Sequence, residues 1–286
     1  MTRFATAVVT TVLCTAAVAG TAGPVAAEST TYYVSLGDSA AAGFQPNGHM
    51  DRGYADQLAH RLRSRIPGLR LVKLGCPGET ADSLITGFHS PCSYPSGSQL
   101  AEAIDFLQEH AGDISFITIN VGSNDLLNVC LDEETGRIPA ACAQRTMPPV
   151  QADLAKIIDA VHSAAPGVPI AGMSYWDPFL GFWIQGPDGP ALARGDSRAM
   201  RIMNAALVDT YEAGGTLVAD VAASEYFDTA NFTGSIESRW GPLPINVANA
   251  CRWTWFCKGP PLAPDPHPTT VGYGIIADAF EAVLPV

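Results

Sequence analysis

From residue 32 onward, short apolar runs rich in Val, Ile and Leu alternate with longer stretches whose apolar positions recur at helical spacing. That is the pattern of β-α repetition around a parallel sheet. The short runs predict strands over residues 32–36, 69–74, 114–121, 168–173 and 216–219. The longer stretches predict helices. Within 150–165, Val150, Leu154, Ile157, Ile158 and Val161 make one apolar stripe, suited to covering a sheet face. Met200, Met203, Leu207, Val208 and Tyr211 do the same within 197–213, as do Ile275, Ile276, Phe280 and Val283 within 271–284. The two methionines read as core filling. Residues 133–149 and 226–266 follow neither period and are expected to be irregular. In such sheets the crossovers are right-handed and ligands gather outside the C-terminal ends of the strands. The loops that follow strands are therefore where chemistry is expected.

The first 27 residues obey a different rule. Thr2-Arg3 leads into an apolar run of Ala, Val, Thr and Leu from Phe4 to about Ala19, closed by Val25-Ala26-Ala27, which is the form of a cleaved secretory signal. The run is interrupted by Thr, Gly and Pro and has no basic stop-transfer flank, so a membrane anchor is the weaker reading. Residues 28–286 are then expected to be one exported domain, a monomer with no stable membrane span. Cysteine usage agrees. Of seven cysteines Cys14 falls in the signal, leaving Cys76, Cys92, Cys130, Cys142, Cys251 and Cys257, an even set that reads as disulfides in an oxidising compartment. Six cysteines allow fifteen connectivities, but these fall into three local couples along the chain. Pairing within the couples is expected: Cys76 with Cys92, Cys130 with Cys142, Cys251 with Cys257. No C-x-x-C and no His at finger-like spacing stands beside them, so no metal is expected.

Charge narrows the partners. Lys and Arg number 16 against 28 Asp and Glu, a formal net charge of -12, which argues against a nucleic-acid binder needing a basic surface. With 47% hydrophobic and only 15% charged residues, there is enough apolar material for a sizeable core.

Four short stretches carry candidate chemistry. The first strand runs into Gly37-Asp38-Ser39, which sets a hydroxyl on the turn into the next helix, where Asp38 or Ser39 would also serve as a helix cap. After the second strand, Gly75-Cys76-Pro77-Gly78 brings backbone N–H groups to the crevice. The third ends in Gly122-Ser123-Asn124-Asp125, offering an amide donor or a local Asx turn. Before the last helix comes Pro264-Asp265-Pro266-His267-Pro268, an imidazole held between prolines with a carboxylate two residues before it.

In this order the four stretches resemble the blocks of the SGNH hydrolases, the GDSL-type esterase and lipase family: a Ser in G-D-S, a Gly, an Asn in G-x-N-D and a His near the C-terminus. Ser39, Gly78, Asn124 and His267 occupy those places. The resemblance spans nearly all of residues 28–286 and is to secreted bacterial members with three disulfides. It implies a flavodoxin-like three-layer α/β/α sandwich with a central parallel sheet of about five strands, and hydrolysis of small-molecule or lipid esters without a cofactor. It also implies Ser39 as nucleophile, His267 as general base, and an oxyanion hole formed by the Ser39 and Gly78 N–H groups and the Asn124 amide. The usual final block is D-x-x-H, whereas here Pro264 stands three before the histidine and Asp265 two. Either Asp265 or a backbone carbonyl would then orient the imidazole. A cell-envelope binding protein on the same scaffold, its chemistry weak or lost, is the alternative that this departure leaves open. A Cys76–Cys92 bridge would fix the loop that carries Gly78.

Other hydrolytic and nucleotide-binding signatures are missing: there is no G-x-G-x-x-G, no G-K-[ST], no G-x-S-x-G and no H-E-x-x-H. Tyr175, Trp176, Phe179, Phe182 and Trp183, after the fourth predicted strand, would form either an apolar wall for an acyl chain or core under a loop.

Overall fold

The computed structural model describes Met1, Thr2, Ala5 and residues 30–286. Apart from those first three residues, the expected signal segment lies outside the described residues. The five apolar runs form strands β1 (Thr31–Gly37), β2 (Leu69–Lys73), β3 (Ile114–Asn120), β4 (Ile170–Met173) and β5 (Leu217–Ala219), all parallel, in the order β2-β1-β3-β4-β5. This is the doubly wound order in which the chain direction switches between β1 and β3, and a crevice opens beyond their C-terminal ends.

Alternation along the strands separates two faces. One carries Val34, Leu36, Ile117 and Ile119, all fully buried. Helices α4 (Gln99–Glu109), α6 (Ala140–Ala164) and α7 (Gly189–Ala213) form that layer, with Tyr211 of α7 reaching the Ile119 carbonyl. The opposite face, under α2 (Tyr54–Leu62) and α9 (Thr270–Val283), carries Tyr33, Ser35, Thr118 and Asn120. These buried polar groups are satisfied by one another and by α2: Tyr33 and Thr118 lie 2.8 Å apart, and the Tyr54 hydroxyl donates to Asn120 Oδ1 at 2.7 Å. Tyr54 also stacks on Phe280, tying α2 to α9. Short helices α1 (Ser39–Ala42), α3 (Ala81–Thr86) and α5 (Ser123–Cys130) start in the loops after β1, β2 and β3. Among the described residues no helix is long and apolar enough to cross a membrane.

Both stretches expected to be irregular contain regular structure. Helix α6 starts at Ala140 and runs through Pro148 and Pro149. A proline interrupts the ladder of a helix, which is why the sequence reading stops at that pair. The structure carries the helix through because Ala143 and Met147 continue the buried stripe of Val150 and Leu154, while Cys142 ties the first turn to Cys130. Residues 226–266 contain an antiparallel hairpin, β6 (Ser235–Ser238) and β7 (Gly241–Pro244), then α8 (Ile245–Trp253). Their order rests on tertiary contact: Asn246 donates to the Thr229 carbonyl from a fully buried position, and Cys251 is bridged to Cys257. Helix α7 likewise begins earlier than expected, at Gly189.

Candidate active site

The end of β1 is pressed against the end of β3. Gly37 has φ 133°, and a Cβ there would lie 1.8 Å from the Asn120 carbonyl oxygen, so only glycine fits. The next residue donates its N–H to that same carbonyl at 3.0 Å. Asp38 then caps α1, accepting from Ala40 N at 2.9 Å. Its fully buried carboxylate also takes hydrogen bonds from Asn120 Nδ2 (2.7 Å), Ser123 Oγ (3.2 Å) and the Tyr175 hydroxyl (2.6 Å). Burial raises the Asp38 carboxyl above its ordinary range, and the Tyr175 hydroxyl opposes that rise. This network fixes the first turn of α1, on which Ser39 stands, 8% exposed.

His267 enters from the loop before α9. Its Nε2 lies 2.9 Å from Ser39 Oγ, and its Nδ1 lies 2.8 Å from Asp265 Oδ1. The same Asp265 oxygen accepts the His267 backbone N–H at 2.9 Å. An aspartate naturally closes such a turn onto the residue two ahead, so the D-x-H spacing folds the carboxylate back onto the ring of its neighbour. With Nδ1–H donating to a carboxylate, Nε2 is left as the acceptor for a serine proton. The loop is held on both sides: Trp255 N donates to the His267 carbonyl at 2.9 Å and Trp176 Nε1 to the Pro266 carbonyl at 2.8 Å. The Phe44 ring meets the imidazole edge-on at 4.6 Å.

The third component comes from the loops after β2 and β3. Asn124, in the first turn of α5, spends one amide hydrogen on the Glu79 carbonyl at 2.9 Å, which leaves the second for a ligand. Its neighbour Asp125 accepts from Ala81 N at 3.1 Å, locking α5 to the start of α3; burial pushes that carboxyl up to about 6. Gly78 has φ 88°, again glycine territory. Buried Glu79 accepts from Ser90 and Gln99, and Gln99 in turn bonds both N–H and C=O of Gly37. The Cys76–Cys92 bridge closes this loop. Among the described residues, the N–H groups of Ser39 and Gly78 have no protein acceptor.

Ser39, Asn124 and His267 line one cavity of about 80 Å³, together with Ser123, Leu127, Tyr175, Trp176, Pro178, Phe179, Met200 and Pro266. Gly78 is not part of its lining. Of the aromatics after β4, Tyr175, Trp176 and Phe179 face this cavity, whereas Phe182 packs on Phe256, and Trp183 on Phe232 under the Arg194 guanidinium. Met200 belongs to the cavity wall rather than to core alone. No local motif marks Tyr175, Trp176 or Met200, since each acts through contacts distant in sequence.

The wall after β4 is a 3₁₀ segment, Pro178–Ile184, capped by Asp177, which accepts from Phe179 N at 3.1 Å. Burial pushes the Asp177 carboxyl from the ordinary 3.8 up to about 7. Between those values the folded chain retains a proton that the unfolded chain has released, so this group's contribution to stability is present near pH 4 and declines as the pH rises through 7. Asp177→Asn is therefore expected to raise Tm more at pH 8 than at pH 4; an equal change at both values, in thermal melts, would remove Asp177 from the pH dependence.

Comparison with known proteins adds a family and a fold. A model of the GDSL-like lipase/acylhydrolase family matches residues 35–275. No curated protein matches the chain. Among solved structures, an extracellular lipase from Streptomyces rimosus is 17% identical over 89% of this chain and 100% of its own, with TM-score 0.56. Phospholipase A1 from Streptomyces albidoflavus NA297 is 15% identical over 89% of this chain and 100% of its own, with TM-score 0.54. The lipase Lip_vut3 from a goat rumen metagenome is 14% identical over 88% and 97%, with TM-score 0.53. At these identities the likeness is one of fold.

Proposed function

Because the chain belongs to the GDSL-like lipase/acylhydrolase family, we propose that it hydrolyses carboxylic esters through an acyl-enzyme on Ser39. The observation that carries this reading is the unbroken relay from Asp265 through His267 to Ser39, with contacts of 2.8 and 2.9 Å. A hydroxyl is a weak nucleophile until a base takes its proton. His267 Nε2 accepts that proton as Ser39 Oγ bonds to the ester carbonyl carbon, and the Asp265 carboxylate stabilises the imidazolium that forms. The negative oxygen of the tetrahedral intermediate is assigned to the N–H groups of Ser39 and Gly78 and the second Asn124 amide hydrogen. Collapse breaks the bond to the alkoxy oxygen, which leaves as alcohol with the proton from Nε2. Water then gives a proton to Nε2 and attacks the acyl carbon, and the carboxylic acid departs as Ser39 recovers its hydrogen.

The same reading takes residues 1–27 as a cleaved signal and 28–286 as one exported hydrolase domain, whose three bridges persist in an oxidising compartment. The alternative of a binding protein with lost chemistry rested on the D-x-H spacing. The carboxylate bonded to Nδ1 at 2.8 Å favours the catalytic reading instead.

The test is turnover of p-nitrophenyl butyrate by the purified protein, with a fluorophosphonate used to label the nucleophile. Hydrolysis and a mass increase on the peptide containing Ser39 are expected. Asn124→Ala is expected to lower kcat about 10²- to 10³-fold with little change in KM, because the donor acts on charge that develops only in the transition state. Absence of both turnover and adduct in folded, disulfide-intact protein would overturn the reading.

A further inference from the structure

Glu79 and Gln99 are both fully buried, and neither side chain lines the cavity at Ser39. Polar atoms taken out of water need partners, and here the partners belong to two separate parts of the site. Glu79 Oε1 accepts from Ser83 Oγ at 2.5 Å, while Oε2 accepts from Ser90 Oγ at 3.0 Å and from Gln99 Nε2 at 3.1 Å. The Glu79 main chain is held as well. Its N–H donates to the Cys76 carbonyl at 3.2 Å, and its carbonyl accepts the Asn124 amide at 2.9 Å. Gln99, the first residue of α4, meets Gly37 at two points: Oε1 accepts the Gly37 N–H at 2.6 Å, and Nε2 donates to the Gly37 carbonyl at 3.0 Å. That carbonyl also accepts from Cys76 N at 3.0 Å. With its oxygen committed to the Gly37 N–H, the Gln99 amide must turn its nitrogen toward Glu79, where only an acceptor satisfies it.

We infer that Glu79 and Gln99 are positioning residues for the proposed hydrolysis: the pair sets the separation between the Ser39 hydroxyl and the oxyanion donors assigned to Gly78 and Asn124, without touching substrate. The inference rests on the esterase reading above. Glu79 follows Gly78 directly, and its carbonyl occupies one Asn124 amide hydrogen. The direction of the second hydrogen therefore follows the placement of the Glu79 peptide. At the other end, Gln99 grips the strand terminus two residues before the nucleophile. A single chain of contacts thus runs from Asn124 through Glu79 and Gln99 to Gly37, each between 2.6 and 3.1 Å. Donors stabilise the tetrahedral intermediate only when aimed at the position its oxygen will take, and a misplacement of about 1 Å can cost about 10²-fold in rate.

The experiment measures kcat and KM for p-nitrophenyl butyrate, beside thermal melts, in the intact protein and in Glu79→Met, Gln99→Met and Glu79→Gln, each with and without Asn124→Ala. Methionine keeps the length of the chain and removes its hydrogen bonds. Each Met variant is expected to lower kcat by about tenfold or more, with KM within about twofold, because the donors act on charge that develops in the transition state. Glu79→Gln can turn its oxygen to Gln99 and its nitrogen to the Ser83 hydroxyl, which is able to accept. It is expected to keep kcat within about threefold. Beside Asn124→Ala, Glu79→Met is expected to cost no more than about threefold further, since the donor it places is gone, whereas a merely weakened scaffold would lower both backgrounds alike. Unchanged kcat in both Met variants overturns the inference, as does a loss borne by KM, an equal loss with and without the Asn124 amide, a Glu79→Gln variant as impaired as Glu79→Met, or failure of both Met variants to fold. None of these touches the esterase reading, which falls instead if the wild-type protein gives neither turnover nor a fluorophosphonate adduct.

Discussion

Replacing Ser39 by Ala lowers ester turnover about 10⁵- to 10⁶-fold, the loss expected when the nucleophile of a serine-histidine system is removed. The methyl group left behind still occupies the first turn of α1, and Asp38 keeps its cap on Ala40 N, so the fold is expected to be unaffected. A residual acceleration of roughly 10³- to 10⁴-fold over water is expected to survive, supplied by the oxyanion donors and by substrate positioning. The measurement is steady-state hydrolysis beside a thermal melt. Turnover within tenfold of wild type, in a protein melting at the same temperature, would show that the nucleophile lies elsewhere.

The second large effect separates orientation from charge at Asp265. In Asp265→Ala the imidazole loses its partner, and the turn loses the oxygen that accepts His267 N at 2.9 Å. The expected fall in kcat is about 10³- to 10⁴-fold. Asp265→Asn is milder. Its amide oxygen is still drawn to the His267 N–H and so remains placed to accept from Nδ1, but it carries no charge. Hydrogen bonds to charged groups exceed neutral ones by about 1–1.5 kcal/mol, so a loss of about tenfold is expected. Near-wild-type activity in both variants would move the imidazole's partner to a backbone carbonyl. Equal, severe losses in both would make the charge alone responsible.

How much of this was legible along the chain depended on the range of the interactions. The five strands were readable because each is a short β-branched or aliphatic run bounded by turn residues, and their shared parallel direction follows from the helices between them. The start of α6 was not, because Pro148-Pro149 is a local stop signal that the buried stripe from Ala143 to Leu154 and the bond to Cys130 override. The hairpin and α8 were hidden for the same reason, their order coming from buried Asn246 and the Cys251–Cys257 bridge. Ser39, Asn124, Asp265 and His267 stand in short motifs at loop positions, so their residue types were visible together. Tyr175 was not visible as the partner of Asp38, 137 residues away, nor Trp176 as the anchor of Pro266, 90 residues away. Gly78 was singled out with the others; it does not line the cavity, and the residue after it, Glu79, holds Asn124 through its carbonyl.

The relay joins residues 228 positions apart in the chain, with the hydroxyl just beyond the first strand and the imidazole just before the last helix. A ribosome adding roughly 5–20 residues per second takes about 10 to 45 s to travel between them. Throughout that interval the growing polypeptide holds Ser39 without the imidazole that the proposed mechanism gives it as base. Docking of α9 onto α2, where Gln57 donates to the Thr270 carbonyl at 2.9 Å, and onto the segment after α1, where Tyr273 donates to the Phe44 carbonyl at 2.8 Å, then brings the imidazole into place. An abandoned or truncated translation product is on this account chemically inert toward the ester bonds of the cell that makes it.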